Sequence, residues 1–436
     1  MYVEREIKKP FDKIITSYSM VAVVGARQTG KTTFLKKQME HAKSTYVLFD
    51  DPDVRSLFDD DVKKFDQQYL EGNDLAVLDE VQSCKDAGRK LKYLVDSGRK
   101  LWITSSSEVI LAKEILSYLV GRISIVRLYP FSYEEFLVAK GQKTMTSAIA
   151  QRMIWEHIQY GGYPKVVLTT DKEMKNTILR DLYETMLLKD VAQTFSIDDI
   201  RTLENCAKYL ALGIGNILSY ENLSSSLAMS FQTIKKYLDA MEKSYFIVRV
   251  NPYFTNKLKE IVKQPKVYFI DTGLRNSIAK SFSYEPQGNV FENYVCSELL
   301  KAGVVPKYWR TKTKTEVDFV VEKPSGVIPL EVKLHAEPGK IERGLRSFIG
   351  IYHPKNALVV TYKGKHGQMK VNGCTVSFTD VAGMRQQLIE MNNVEPQLRP
   401  EYIKKIKKIQ QSGNYTEFSS IKQLQDEIEN KKKRPS

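Results

Sequence analysis

Cysteine is scarce in this chain. The four are Cys84, Cys206, Cys296 and Cys374, far apart and without a Cys-x-x-Cys pair. That argues against structural zinc and against a disulfide framework, and it fits a reduced cytoplasm. The five histidines are equally scattered. No apolar run reaches the roughly 18 residues of a spanning helix, and no signal peptide is visible, so neither a transmembrane segment nor secretion is expected. Negative charge is also short: 52 Asp and Glu stand against 66 Lys and Arg, a formal net charge of +14. That surplus favours an anionic partner, most simply nucleic acid, with a membrane surface as the alternative. What remains is ordinary. A chain of 436 residues with 42% hydrophobic and 27% charged residues reads as globular, and its length predicts roughly two to four domains.

One stretch stands out from this background. Val21-Ala22-Val23-Val24 is apolar and mostly β-branched and reads as a buried strand. Gly25 to Thr32 follows with the pattern Gly, four residues, Gly-Lys-Thr, and Thr33 to Met39 continues as a helix. Strand, glycine loop and helix in that order form the context of a phosphate-binding loop. Gly25 and Gly30 allow the tight turn that aims the backbone of Gly25, Ala26, Arg27, Gln28, Thr29, Gly30, Lys31, Thr32 and Thr33 at an anion. The helix N-terminus adds partial positive charge. Lys31 is expected to reach the β- and γ-phosphates, and the Thr32 hydroxyl to sit on Mg²⁺.

Leu75-Ala76-Val77-Leu78-Asp79-Glu80 is an apolar strand ending in two acids. Asp79 is expected to hold Mg²⁺, directly or through water, and Glu80 to polarise the attacking water. Adjacent acids at a strand end also occur in solvated loops. Apolar runs at Val21–Val24, Tyr46–Phe49, Leu75–Leu78, Leu101–Ile103 and Ile123–Leu128 alternate with helical segments, which predicts a parallel sheet covered on both faces. Tyr46 to Asp51 lies between the two motifs, consistent with an extra strand between the loop strand and the acid strand. Thr104 or Ser106, at the end of Leu101–Ser107, is a candidate γ-phosphate sensor, with a plain turn as the alternative. Arg122 is a candidate for stabilising transition-state charge, in its own subunit or in a neighbour's within a homo-oligomer, with a surface arginine as the alternative.

Gly-Ala-Arg-Gln-x-Gly-Lys-Thr-Thr at 25–33, Leu-Asp-Glu-Val-Gln at 78–82, Leu-Val-Gly-Arg at 119–122 and Leu-Tyr-Pro-Phe-Ser-Tyr-Glu-Glu-Phe at 128–136 together resemble a large family of prokaryotic AAA-type P-loop ATPases. That family carries a C-terminal restriction-endonuclease-like domain. The resemblance spans residues 1–390. It implies ATP rather than GTP as the ligand, ATP hydrolysis, and a functional role for Arg122. Ser105 departs from the family, which more often has Gly after the strand threonine.

Ala148 to Gln159 has helical spacing and stops at Gly161-Gly162-Tyr163-Pro164, and Ile178 to Phe195 reads as a second helix with Leu182, Met186 and Leu187 on one face. This is expected to be a lid whose Met and Leu stripe is core. Tyr220 to Leu227 reads as a short helix, and Ser230 as the cap of a second helix through Glu242. Phe231, Ile234, Leu238 and Met241 form its apolar stripe, leaving Thr233, Lys235, Lys236 and Tyr237 outside it. A ribbon at Tyr245–Asn251 and Lys266–Ile270, with Pro252 to Pro265 as its wing, completes a winged helix. Lys235, Lys236, Lys257, Lys259 and Lys263 are then candidate DNA contacts, against a module used only for packing or dimerisation.

Gly288 opens a helix to about Lys301, followed by strands at Pro306–Arg310, Glu316–Val321 and Ile328–Lys333. Residues two apart on a strand face the same side, so Glu331 and Lys333 point together. Asp318 and Glu331 are candidates to share Mg²⁺, with Glu292 contributing from the helix and Lys333 handling the nucleophilic water. Phe-Glu-Asn at 291–293 and Glu-Val-Asp-Phe at 316–319 add to the family resemblance, which implies a nuclease-like fold. Such a fold serves DNA cleavage or only binding. Lys404, Lys405, Lys407, Lys408 and Lys431–Arg434 make a basic tail.

The expected fold class is thus α/β multidomain: a P-loop parallel α/β sheet at 1–142, a helical lid at 143–205, a winged helix at 206–285, a restriction-endonuclease-like α/β domain at 286–390 and a tail at 391–436. The expected activity is Mg²⁺-dependent ATP hydrolysis coupled to DNA, with DNA cleavage left open. The alternative is an ATP-driven switch whose C-terminal domain only binds DNA or protein.

Overall fold

Five apolar segments become five parallel strands: β1 (Met20–Val24), β2 (Ser44–Leu48), β3 (Leu75–Asp79), β4 (Leu101–Ser105) and β5 (Ile123–Arg127), in the order β2-β3-β4-β1-β5. The computed structural model describes residues 2–40, 42–81, 84–106, 115–142, 146–283 and 285–392, with the side chains of 259, 261, 262 and 389–392 left out. Strands β1, β3 and β4 are buried along their whole length, as a parallel sheet flanked by helices requires. One flank is closed by Phe11, Phe34 and Trp102, whose rings meet edge-to-face with centroids 5.1 and 4.9 Å apart. The strand that separates β1 from β3 is β4. Strand β2, which lies between the two motifs in sequence, is instead the sheet's edge beyond β3. Since all five strands run the same way, their C-terminal ends share one rim, and whatever precedes a strand lies on the other.

Helices Ser147–Tyr160, Pro164–Leu168, Lys172–Thr185 and Ile200–Leu212 follow. The Gly-Gly breaker has a packing cause. A Cβ on Gly161 would lie 2.0 Å from Asp271 Oδ1, and Gly162 N–H donates to Asp271 Oδ2 at 2.7 Å. The helix expected at Ile178–Phe195 changes its winding part-way and becomes π-helical over Met186–Gln193.

Next come helices Tyr220–Leu227 and Phe231–Lys243, and an antiparallel ribbon of β6 (Ile247–Val250) and β7 (Lys266–Phe269). Ser230 caps its helix by accepting from Thr233 N–H at 3.1 Å. Two details differ from the sequence reading. Tyr237 is buried, whereas Phe231 is 59% exposed and rests against the Tyr220 ring. The segment between the strands is no free wing: it contains the helix Lys257–Val262, and Lys257 pairs with Glu260 and with Glu322 of a later strand.

Helix Gly288–Lys301 introduces a six-stranded mixed sheet of β8 (Lys307–Arg310), β9 (Glu316–Lys323), β10 (Gly326–Ala336), β11 (Asn356–Gly364), β12 (Gly367–Val371) and β13 (Cys374–Thr379), in the order β12-β13-β11-β10-β9-β8. Strands β8, β9 and β10 form an antiparallel meander. After helix Arg343–Tyr352 the chain returns as β11, parallel to β10. Beyond Thr361, where the sequence carries no clear motif, the chain still supplies β12, β13 and helix Val381–Asn392. The basic tail, with Lys404, Lys405, Lys407, Lys408 and Lys431–Arg434, lies outside the described residues.

A buried charge cluster joins distant segments. Arg385, 3% exposed, pairs with Glu298 at 3.1 Å, Glu6 at 2.6 Å and Glu134 at 2.6 Å. Glu298, with no exposed surface, also pairs with Lys301 at 2.9 Å and accepts from Tyr133 N–H at 3.0 Å. Burial alone would raise the Glu298 pKa, but Lys301 and Arg385 outweigh it and hold it at about 2. A carboxyl depressed in the fold stabilises it above the unfolded value of about 4.3 and loses that contribution as pH falls toward 2. Arg385→Met should lower the unfolding free energy by about 3–5 kcal/mol in urea titrations at pH 7, because it strips a counter-charge from the buried Glu298 carboxylate. It should also shrink the acid-induced loss of stability between pH 4 and 2, roughly the window set by these two pKa values.

Candidate nucleotide site

The site forms where β1 runs out. Gly25 follows Val24 in close contact with the neighbouring strand's exit, and a Cβ there would lie 2.1 Å from the Leu128 carbonyl oxygen. Gln28 and Gly30 adopt positive φ (59° and 95°), which turns the chain back. The Thr29 hydroxyl closes the turn on Ala26 O at 3.0 Å, and Phe34 N–H donates to Gly30 O at 2.8 Å as the helix Lys31–Met39 begins. Lys31 is buried, and its ammonium donates to Gly25 O and Ala26 O, both at 2.9 Å. Burial lowers its pKa, with Glu80 and Asp190 pulling it back up. The ammonium is thus already folded inside the loop, on acceptors weaker than a phosphate oxygen.

Asp79 ends β3 on the same rim. Its carboxylate accepts from Thr32 Oγ1 at 2.9 Å and also from the hydroxyls of Tyr46 and Thr104. Burial, and then the bond to Asp79, push the Tyr46 phenol well above its ordinary pKa. Glu80 has a left-handed backbone (φ 59°), and its N–H donates to Thr104 Oγ1 at 3.1 Å. Of the two hydroxyls expected near the acids, it is Thr104 that bridges them.

Three residues here carry no motif. Arg5 donates to Thr29 O at 2.8 Å and Tyr129 O at 2.6 Å and pairs with Glu135 at 3.0 Å, bracing the loop from outside. Tyr46 reaches in from the edge strand. Asp190, on the π-helical turn, pairs with Arg27 of the loop at 2.6 Å. Arg122 is elsewhere. It precedes β5, so it lies on the opposite rim, where it pairs with Asp96 at 2.8 Å.

Residues 17–137 match the family model described as AAA domain. This segment is similar to AAA-type P-loop domains. Residues 151–285 and 287–380 match two further models, each described as a domain of unknown function (DUF8612 and DUF4143). The chain is similar to an uncharacterized protein of Haemophilus influenzae, 26% identical over 71% of this chain and 81% of that one. It is also similar to one of Methanocaldococcus jannaschii, 29% identical over 69% and 71%. Among solved structures it is similar to a Walker-type ATPase of Pyrococcus abyssi (14% identity, 64% of this chain and 96% of that chain, TM-score 0.44).

Downstream of the AAA domain, the acids expected to share a metal are distributed differently. Asp318 and Glu331 face each other across β9 and β10. Asp318 accepts from Val332 N–H at 2.8 Å, and Glu331 pairs with Lys333 at 2.9 Å. Burial and the Glu331 charge raise the Asp318 pKa far above the usual carboxylate range. Glu292 is instead engaged by Lys266 at 3.1 Å and by the Tyr268 hydroxyl. Lys266 is 2% exposed and also pairs with Glu316. The three acids are neighbours, since the Glu292 charge bears on both Asp318 and Glu331, and in this arrangement the helix carboxylate is also paired with an ammonium from β7. Among the described residues no three His, Cys, Asp or Glu are arranged to hold a metal ion, and no helix is long and apolar enough to cross a membrane.

Gly25→Ala should abolish nucleotide binding in calorimetric titration with ATP, because its Cβ would collide with Leu128 O and push the loop off the strand end. Unchanged affinity would contradict the close-packed loop.

Proposed function

We propose that this chain is a Mg²⁺-dependent, ATP-hydrolysing AAA-type protein that couples its nucleotide state to DNA through the segments after residue 205. The observation that carries the reading is the meeting of Lys31, Thr32, Asp79, Thr104 and the Glu80 backbone on one rim. In this reading the N–H groups of Gly25 to Thr33 cradle the phosphates and Lys31 exchanges its two carbonyl partners for phosphate oxygens. The Thr32 hydroxyl and Asp79 carboxylate, 2.9 Å apart on a water-poor rim, suit a hard cation in donor chemistry. Bound with ATP, Mg²⁺ supplies charge neutralisation at the β- and γ-phosphates. Glu80, oriented by its N–H bond to Thr104, positions the attacking water. Arg122 has no route to its own loop, so its proposed role is confined to a neighbouring subunit in a homo-oligomer.

The DNA face is proposed on the helix Phe231–Lys243 and the ribbon beside it, read as a winged helix. An open groove of about 710 Å³ runs there, lined by Phe231, Tyr220, Lys235, Arg249 and Lys263 among others. Lys236 and Lys257 are drawn into internal contacts, with Ser196 O at 2.8 Å and with Glu260 and Glu322, which leaves Lys235 and Lys263 as the proposed phosphate contacts. The side chain of Lys259 lies outside the described residues.

For residues 286–390, the meander β8-β9-β10, the following helix and the parallel β11 support a nuclease-like fold. One observation favours its use as a DNA- or protein-binding module. Lys266 and Tyr268 occupy Glu292, Lys333 is paired with Glu331, and among the described residues no three such acids are arranged to hold a metal ion.

Lys31→Ala should abolish ATP turnover. Glu80→Gln should retain ATP binding while slowing hydrolysis by about 10²–10⁴-fold, measured by phosphate release. Wild-type turnover in both would sink the assignment. With supercoiled, branched and single-stranded DNA plus Mg²⁺ or Mn²⁺, the protein should bind without cutting. Cleavage by the wild type that Asp318→Ala abolishes would overturn the binding-module reading.

A further inference from the structure

A short ion pair ties the phosphate loop to the turn Met186–Gln193. Arg27 Nε lies 2.6 Å from Asp190 Oδ1. Asp190 is 3% exposed, and its Oδ2 has no hydrogen-bond partner among the described residues. Its turn is π-helical, Met186–Gln193, an irregularity that costs hydrogen-bond geometry and concentrates at working sites. The backbone carbonyl of the same residue accepts from the Ser244 hydroxyl at 2.7 Å, and Ser244 ends the helix Phe231–Lys243. A second tie runs from Lys236 of that helix to Ser196 O at 2.8 Å, just past the turn.

We propose that Asp190 is a latch that holds Arg27 when no triphosphate is bound and surrenders it to the terminal phosphate of ATP, so that nucleotide state is passed through Ser244 to the helix Phe231–Lys243. The proposal rests on the nucleotide reading of the loop and adds the route by which that reading reaches the proposed DNA face.

The argument is one of competing anions. Arg27 and Lys31 are the cations whose charges bear most strongly on the Asp190 carboxylate. A triphosphate in the loop requires Lys31 and presents oxygens in the bidentate geometry that a guanidinium matches best. Asp190 cannot keep Arg27 against it. A carboxylate left buried without its counter-charge is costly. The Asp190 side chain is 3% exposed, and its backbone carries the Ser244 bond. ADP lacks the terminal phosphate and leaves the pair closed. Arg27 is thereby a positioning and sensing arginine supplied by the loop itself, while Arg122 sits on the far rim.

The test uses the full chain with Mg²⁺, ADP and a β,γ-methylene ATP analogue. Affinities are measured by calorimetry and backbone hydrogen exchange by mass spectrometry over 186–196 and 231–244. Arg27→Ala should weaken the analogue by about 10–100-fold, the worth of a charge-assisted hydrogen bond, while ADP affinity stays within about threefold. Asp190→Asn should bind the analogue more tightly than wild type, and its exchange over 186–196 should be fast before any nucleotide is added. Ser244→Ala should keep wild-type affinities and the response over 186–196 but lose the response over 231–244, an outcome a purely structural serine would not produce. Equal weakening of both nucleotides in Arg27→Ala would overturn the latch. So would wild-type protein that binds the analogue with no exchange change over 186–196. If the wild type binds neither nucleotide, the loop reading itself fails and the latch falls with it. If it binds both and only the exchange prediction fails, the loop reading stands and the latch alone is lost.

Discussion

Asp79 is where the architecture of the first 140 residues is decided. It is 5% exposed at the end of a strand buried along its whole length, and water does not solvate it. Three hydroxyls do so instead, from Thr32 on the loop helix, Tyr46 on the edge strand and Thr104 on the strand next door. Each comes from a different element, so the carboxylate is satisfied only when the loop helix and all three strands are in register. A buried carboxylate missing even one donor would be costly, which is why a residue suited to metal chemistry is also a structural keystone. The same bonds that pack the sheet preset the distance between the Thr32 hydroxyl and the acid.

Charge burial recurs as the means by which sequence-distant segments are joined. Arg5 braces the loop through Thr29 O and runs on to Glu135. Arg385 gathers Glu6, Glu134 and Glu298. Lys266 carries the ribbon into Glu292 and Glu316. Such pairs contribute little net stability compared with apolar packing, because desolvation offsets most of their attraction. They do make misplacement expensive, since Arg5, Glu298, Lys266 and Arg385 would each be left as a bare buried ion. In this chain they fall at the joins between the AAA domain, the helices after it and the mixed sheet.

The sequence discloses what is local and conceals what is not. The loop, the acid strand, the Ser230 cap and the helix from Gly288 to Lys301 were legible because each is a short run whose own chemistry implies its conformation. Asp190 was not legible: it is 163 residues from Arg27 and lies in a Met and Leu stripe that reads as core. Arg5 gave no signal either, because two of its partners are backbone carbonyls, which every residue has, and its third, Glu135, is distant in sequence. Tyr237 and Phe231 exchanged places because a helix stripe permits several faces to be buried and tertiary packing selects among them. The short helix Lys257–Val262 within the expected wing, with ion pairs from Lys257 to Glu260 and to Glu322 on β9, carried no signal for a similar reason. The position of Arg122, by contrast, follows from sequence alone once the strands are taken as parallel. A residue that precedes a strand cannot share a rim with a loop that follows one.

The lysines of the chain fall into two kinds. Net positive charge suggests polyanion binding only if the cations are unspent, and here a large share are spent internally. Lys31 is on loop carbonyls, Lys236 on Ser196 O, Lys257 on two glutamates and Lys266 on two more. What distinguishes Lys31 within this group is the strength of what holds it. Carbonyl oxygens are weaker acceptors for an ammonium than phosphate or carboxylate oxygens are, so Lys31 is held loosely enough to change partners. Lys266, flanked by carboxylates whose charge more than offsets the effect of its burial, is held fast. A site that must exchange ligands needs the first kind of contact and a structural join needs the second. By that criterion Lys31 is placed for exchange, and the acid cluster beside Lys266 for holding segments together.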